Sequence, residues 1–424
     1  MSKCILVYGD WEGLSDETLL GYLHVSAIRG KERFEFEFDE RALAEPQIRR
    51  LSLDPRIGPY SGRQYPPNGQ ETFGLFEDAS PDRWGRLLMK RRHERDVREG
   101  RAPVSSSLHA SDFLLGVHDL YRAGGIRLRL NEQGPFLDDH DHMAAPPFTQ
   151  LRELEEASRR FEAGEDLAAN GKDWLRMLIA PGGSLGGARP KASVVNTDGS
   201  LWIAKFPSNS DEFNVGAWEM VVNVLAGKFC GLSVAEGMAN TYASDHHCFM
   251  VKRFDRLADG RRKHFASAMT MTGNTDGYDH SMGASYLEIA EVLIQHGAST
   301  NEDLRELWKR IVFNMLVSNT DDHMRNHGFL LEHGNGWRLA PAYDMNPVPY
   351  AHGLKLNVSE VDNALDLELA LSVAERFRVK RAEAQLMIDE FRLAIGPMWP
   401  KLARALRIRE QEIEAMASAF ALCR

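Results

Sequence analysis

Residues 318–344, S-N-T-D-D-H-M-R-N-H-G-F-L-L-E-H-G-N-G-W-R-L-A-P-A-Y-D, leave the chain around them little freedom. Ahead of this stretch, Leu304, Leu307, Trp308, Ile311, Val312, Met315 and Leu316 recur at helical spacing on one face, so an amphipathic helix must bury that stripe. Beyond the loop, Phe329–Leu331 and Trp337–Ala340 read as short strands around a turn at His333–Gly336. Between helix and hairpin the chain packs Asp321, Asp322, His323, Arg325, Asn326 and His327 into 321–327. A buried helix ending in a polar, charged loop is a rigid base with chemistry at its tip.

Asp321 and Asn326 stand at the D-x-x-x-x-N interval of a protein-kinase catalytic loop, and Asp344 follows where a second metal-binding carboxylate belongs. In such a loop the Asp takes the proton of the attacking hydroxyl. Asn and Asp oxygens suit Mg²⁺, a hard cation that completes its octahedron with water and nucleotide phosphates. The same letters also fit a solvated turn, so the reading needs partners elsewhere. It finds them in order. Residues 181–191, P-G-G-S-L-G-G-A-R-P-K, put four glycines in six positions, where backbone N–H groups can cradle an anion; the run is neither a Walker A motif nor G-x-G-x-x-G. Val194–Val195 and Leu201–Phe206 form a hairpin carrying Lys205 at its end, a cation for phosphates or a strand-end lysine in water. A helix over about 211–229 carries Glu219, either a partner for Lys205 or a surface carboxylate. Cys248–Arg253 reads as a strand leading into Phe254, where a hinge would meet adenine.

The rest of the chain sets limits. At 424 residues it can hold two or three domains, and 43% hydrophobic with 26% charged residues is ordinary for a globular protein. A formal charge of −10 gives no electrostatic reason to bind nucleic acid directly. The basic run 90–101 is interrupted by Glu94, Asp96 and Glu99 and reads as a solvated face. Four scattered cysteines without a C-x-x-C pair, no signal layout and no apolar run of membrane length point to a reduced, cytoplasmic setting. Residues 3–38 read as a small antiparallel sheet, with Phe34, Phe36 and Phe38 in strict alternation. In S-P-D-R-W-G-R, Ser80 is the expected N-cap and Pro81 the first helical residue. Thr149–Glu162 reads as an exposed helix, and 131–147 as a domain boundary.

S-L-G-G-A-R-P-K, I-A-K-F-P, K-R-F-D-R, T-D-D-H-M-R-N-H and L-A-P-A-Y-D resemble the motifs of the HipA family of bacterial toxin serine/threonine protein kinases. The first 130 residues, with F-E-D-A-S-P-D-R-W-G-R, resemble that family's N-terminal subdomain, so the likeness covers nearly the whole chain. It implies an α+β, two-lobed kinase-like fold of the phosphatidylinositol-kinase type. The N-terminal subdomain would take 1–147 and the kinase-like core 148–424, with the N-lobe part ending near 255 and a helical C-lobe beyond. It implies ATP and Mg²⁺ as cofactors, a HipB-like DNA-binding antitoxin as partner, DNA contact only through that antitoxin, and a translation-related protein substrate such as an aminoacyl-tRNA synthetase. Carried onto this sequence, Asp321 would be the base, Asn326 and Asp344 the metal ligands, and Lys205 the phosphate cation. Gly186, Gly187, Ala188, Arg189, Pro190 and Lys191 would form the phosphate loop, with His323 and Arg325 beside the nucleotide. Lys252, Arg253, Phe254 and Tyr343 would border adenine, Glu219 would support Lys205, and Ser184 would be the autophosphorylated loop serine. Three positions depart from the family pattern. Lys252 stands where glutamate is usual, Trp218 where asparagine is common, and Asp322 adds a carboxylate that could share a metal with Asp321 or raise a pKa. Competing readings are a small-molecule kinase, a catalytically silent kinase-fold binding or co-repressor module, and a metal-dependent hydrolase built on Asp321, Asp322, His323 and His327.

Overall fold

The computed structural model describes the chain except for residues 1, 15, 29, 68, 105–106, 140–144, 166–177, 179–186 and 188. The chain divides into two compact units, Met1–Asn209 with Asp255–Ala266, and Ser210–Phe254 with Ser267–Arg424.

In the first unit, strands β1 (Lys3–Gly9), β2 (Thr18–Ile28), β3 (Lys31–Phe38) and β4 (Ile126–Arg129) form an antiparallel sheet in the order β3-β2-β1-β4. The Phe34/Phe36/Phe38 alternation puts these rings in the core, where Phe36 meets Phe38 edge-on at 4.9 Å. Gly21 faces Phe38 across the ladder because a Cβ there would lie 2.1 Å from the Glu37 carbonyl oxygen. Residues 131–147 belong to this unit, and within them the Leu137 amide donates to the Leu128 carbonyl at 2.8 Å.

The helix Arg83–Arg98 starts two residues later than its sequence suggests. The Ser80 hydroxyl is committed to the Phe76 carbonyl at 2.7 Å, and Asp82 is the N-cap, its carboxylate accepting from the Gly85 amide at 2.8 Å. The other Asp82 oxygen meets Lys191 Nζ at 2.9 Å, both side chains buried, and Trp84 Nε1 donates to the Lys191 carbonyl at 3.0 Å. This helix start thus anchors the hairpin of β5 (Lys191–Val195) and β6 (Leu201–Lys205). The helix Leu151–Glu162 is amphipathic rather than exposed: Leu151, Leu154 and Ala157 are buried, and Phe161 meets Trp84 edge-on at 5.2 Å.

In the second unit the stripe forms as its spacing demands. The helix Thr300–Leu316 buries all seven apolar positions completely. The strands Gly328–Glu332 and Gly336–Leu339 pair antiparallel, and Asp303 ties them to the helix by accepting from the Leu339 amide at 3.1 Å. A further hairpin, β7 (Gly237–Asn240) and β8 (Cys248–Lys252), packs with the helix Val215–Val224. Trp218 has its own setting: its indole N–H donates to Glu412 Oε1 at 2.7 Å and its ring lies against Trp399 and Phe420. The C-terminal helices thus pack against the helix Val215–Val224. The class is α+β, and among the described residues no helix is long and apolar enough to cross a membrane.

Candidate active site

After Leu316 the helix ends and the backbone turns through Ser318, which sits in the left-handed region at φ 49°. Asp321 and Asp322 then part company. Asp321 is exposed, and its carboxylate accepts no hydrogen bond from the described residues. Asp322 is 3% exposed, and its Oδ2 receives Tyr286 Oη at 2.6 Å, Asn314 Nδ2 at 2.8 Å and His327 Nε2 at 2.7 Å. Burial pushes the Asp322 carboxyl up, but the attraction and hydrogen bond of His327, with the Tyr286 hydroxyl, outweigh it and hold it below the usual carboxylate range. The expectation that Asp322 shares a metal with Asp321 or has its pKa raised is therefore corrected: it faces inward as a structural hub. Among the described residues no three His, Cys, Asp or Glu side chains converge on a metal position.

Asn326 closes the loop. Its Nδ2 donates to the Asp321 carbonyl at 3.2 Å, which fixes the amide orientation, and its buried Oδ1 is left without a partner. A buried carbonyl oxygen without a donor costs free energy unless a cation or donor meets it. Asp344 is held against this loop from both sides. Tyr343 Oη donates to the Arg325 carbonyl at 2.7 Å, and the Asn346 amide donates to Asn319 Oδ1 at 2.9 Å. Asp344 itself occupies the left-handed region at φ 58°, a conformation Asp tolerates better than most residues. His323 is half-buried with an unpartnered Nδ1, and Arg325 pairs with Asp276 at 3.2 Å. Phe254 and Tyr343 lie 5.6 Å apart, while Lys252 pairs with Glu236 at 3.2 Å and Arg253 is buried. The second unit thus gathers Asp321, His323, Arg325, Asn326, Tyr343 and Asp344 on one loop-and-hairpin system, with Phe254, just beyond β8, against Tyr343. An oxygen pair of Asn and Asp, one of them orphaned, fits a hard divalent cation that draws its remaining ligands from phosphates and water.

Gly187, Arg189, Pro190, Lys191 and Lys205 belong to the first unit. Gly187 has φ 90°, a conformation that requires glycine, and a Cβ there would stand 3.0 Å from Lys191 Nζ. Lys191 faces Lys205 across the hairpin. Ser184, Gly186 and Ala188 lie outside the described residues. Glu219, in the second unit, is 3% exposed, so it is not the surface carboxylate its sequence also allowed. Sequence reading missed Tyr286, Asn314, Asn319 and the Asp82–Trp84 anchor. The available signal was polar Asn314 inside an otherwise apolar helical run.

Fold and site together define a kinase-like α+β protein. The family model of the HipA-like C-terminal domain matches residues 183–419, more than half of the chain, and the chain belongs to that family. The HipA toxin of Shewanella oneidensis MR-1, solved with HipB and operator DNA, is similar across 98% of this chain and 96% of its own at a TM-score of 0.61; at 17% identity the likeness is one of fold. A protein of Haemophilus influenzae carrying the provisional description of kinase is 30% identical over 133 residues, 29% of this chain and 39% of the relative. The provisionally described kinase Y4dM of Sinorhizobium fredii is 28% identical over 166 residues, 37% of this chain and 39% of its own length. The chain spans about two fifths of the length of these curated relatives.

Proposed function

We propose that this chain is an ATP- and Mg²⁺-dependent serine/threonine protein kinase, the toxin of a HipA/HipB-like pair acting in the cytoplasm. The observation that carries the reading is the buried, unpartnered Oδ1 of Asn326, on the loop that leaves Asp321 free to solvent. ATP, when bound, would supply the phosphoryl group and Mg²⁺ would neutralise the charge that develops as it transfers. Asn326 and Asp344 hold the metal, Lys205 holds phosphate, and Asp321 accepts the proton of a seryl or threonyl hydroxyl. Phe254 and Tyr343 offer a face to the adenine. The family resemblance adds a DNA-binding antitoxin as partner, a translation-related substrate such as an aminoacyl-tRNA synthetase, and silencing by phosphate on Ser184, whose charge would compete with that of ATP. The test is transfer of label from [γ-³²P]ATP by the purified chain, offered lysate protein and a metabolite pool in parallel, with phosphoproteomics after induced expression. Label is expected on seryl or threonyl residues of protein and not on metabolites, and Asp321→Ala should lower transfer by roughly 10²–10⁴-fold. Undiminished transfer by Asp321→Ala would refute the reading.

A further inference from the structure

The site is backed by a polar chain that the proposed chemistry does not use. The Asn346 backbone amide donates to Asn319 Oδ1 at 2.9 Å, and Asn319 Nδ2 donates to Asn314 Oδ1 at 3.0 Å. Asn314 Nδ2 in turn donates to Asp322 Oδ2 at 2.8 Å, where Tyr286 and His327 also arrive. Asn314, Asn319, Asp322, Tyr286 and His327 are all buried. Three segments are thereby joined: the end of the long helix, the 319–327 loop, and the turn that carries Asp344. The chain has one direction. A backbone N–H at one end can only donate and a carboxylate at the other can only accept, so each asparagine amide has a single orientation that satisfies both neighbours. Turning either amide over breaks two bonds at once.

We propose that Asn319 and Asn314, working against Asp322, are positioning residues that set the Asp344 turn in register with the Asp321–Asn326 loop and so fix the spacing of the two metal ligands. The inference rests on the kinase reading above. The turn has other fastenings, since the Val348 amide donates to the Ser318 carbonyl at 3.0 Å and Tyr343 Oη to the Arg325 carbonyl at 2.7 Å. Loss of the asparagine link therefore leaves the turn folded but free to slide. Groups that orient metal ligands from behind act on metal affinity, typically by 10–100-fold, more than on the bonds they make themselves.

The experiment measures Mn²⁺ binding by electron paramagnetic resonance in the presence of the non-hydrolysable analogue AMP-PNP. It compares wild type, Asn326→Ala, Asn319→Ala and Asn319→Asp, with thermal unfolding of each metal-free chain. Asn319→Ala is expected to weaken Mn²⁺–nucleotide binding by roughly ten-fold and to lower its metal-free unfolding midpoint by several degrees, because the Asn346 amide and Asn314 Oδ1 lose their partner. Asn319→Asp keeps the acceptor for the Asn346 amide but sets a carboxylate oxygen, with its charge, against Asn314 Oδ1 in place of the donor. It should weaken binding in the same direction, and it decides the matter if the alanine variant does not fold. Wild-type affinity in a folded Asn319 variant, alongside loss in Asn326→Ala, overturns this inference and leaves the kinase reading standing. Absence of nucleotide-dependent Mn²⁺ binding in wild type overturns the kinase reading and the inference with it.

Discussion

Asp321 and Asp322 are neighbours in sequence and should respond to removal in opposite ways. Replacing Asp322 by Ala strands three buried donors, the Tyr286 hydroxyl, the Asn314 amide and the His327 ring. Each stranded group costs about 1–3 kcal/mol, and breaking a buried charged network by removing one partner costs about 3–5 kcal/mol once the site relaxes. In a domain of about 200 residues, each kcal/mol moves the midpoint by about 2–4 °C, so Asp322→Ala should unfold roughly 6–20 °C lower. Asp321→Ala removes an exposed carboxylate that accepts no hydrogen bond from the described residues, and should shift stability by no more than about 0.5 kcal/mol. The assay is calorimetric or circular-dichroism melting at pH 7, paired with phosphoryl transfer by the same preparations. Only Asp321→Ala should separate the two readouts, with activity lost and stability kept.

Acid supplies the second half of the test. The folded carboxyl of Asp322 lies below its unfolded value, so its contribution is complete above the unfolded pKa of about 4 and is lost as pH falls through the folded value. The gap between wild type and Asp322→Ala should be widest near neutrality and narrow as pH falls below about 4. Equal melting of the two alanine variants, or a gap that persists unchanged into strong acid, would refute the assignment of Asp322 as the buried hub.

Two further outcomes come from the first unit. His264, stacked on Trp11 at 4.9 Å, is pushed down to about 3 by burial, so the unfolded chain takes up a proton below pH 6.5 that the folded chain refuses. Stability should fall by about 2 kcal/mol between pH 7 and 5 through this group alone, and urea midpoints of His264→Asn should lack that component. Asp82→Ala removes both a helix cap and the partner of buried Lys191, and urea unfolding should report a loss of about 3–5 kcal/mol.

The elements most legible in the sequence were those whose periodicity is set by burial on one face. The Leu304–Leu316 stripe, the Phe34/Phe36/Phe38 alternation and the 329–340 hairpin all formed as their spacing requires. The grouping of Asp321, Asn326 and Asp344 in the second unit was legible too, because they lie within one loop-and-hairpin stretch whose geometry is local. What could not be read was which of several equivalent polar residues the tertiary structure would use. Ser80 and Asp82 are both good caps, and the choice fell to Asp82 because Lys191, more than a hundred residues away, needs its carboxylate. Helix Leu151–Glu162 looked exposed because the surface it covers is made by distant residues such as Trp84.

The same competition explains why the two aspartates differ. In this loop the two side chains part: Asp321 is presented to solvent and Asp322 is buried. An inward carboxylate is tolerable only when donors converge on it, and here Tyr286, Asn314 and His327 do so from three segments. Once those donors are fixed, the loop has lost the freedom to re-orient, and Asn326 is left with a buried oxygen facing no donor. Ser318 and Asp344, both non-glycine residues in the left-handed region, add about 1–3 kcal/mol of strain each, which the surrounding packing must offset. Such a loop is unfavourable as local structure, and on the proposed kinase reading it is a preorganised one: the cost of exposing Asp321 and of burying the Asn326 oxygen without a donor would be met during folding rather than in the reaction.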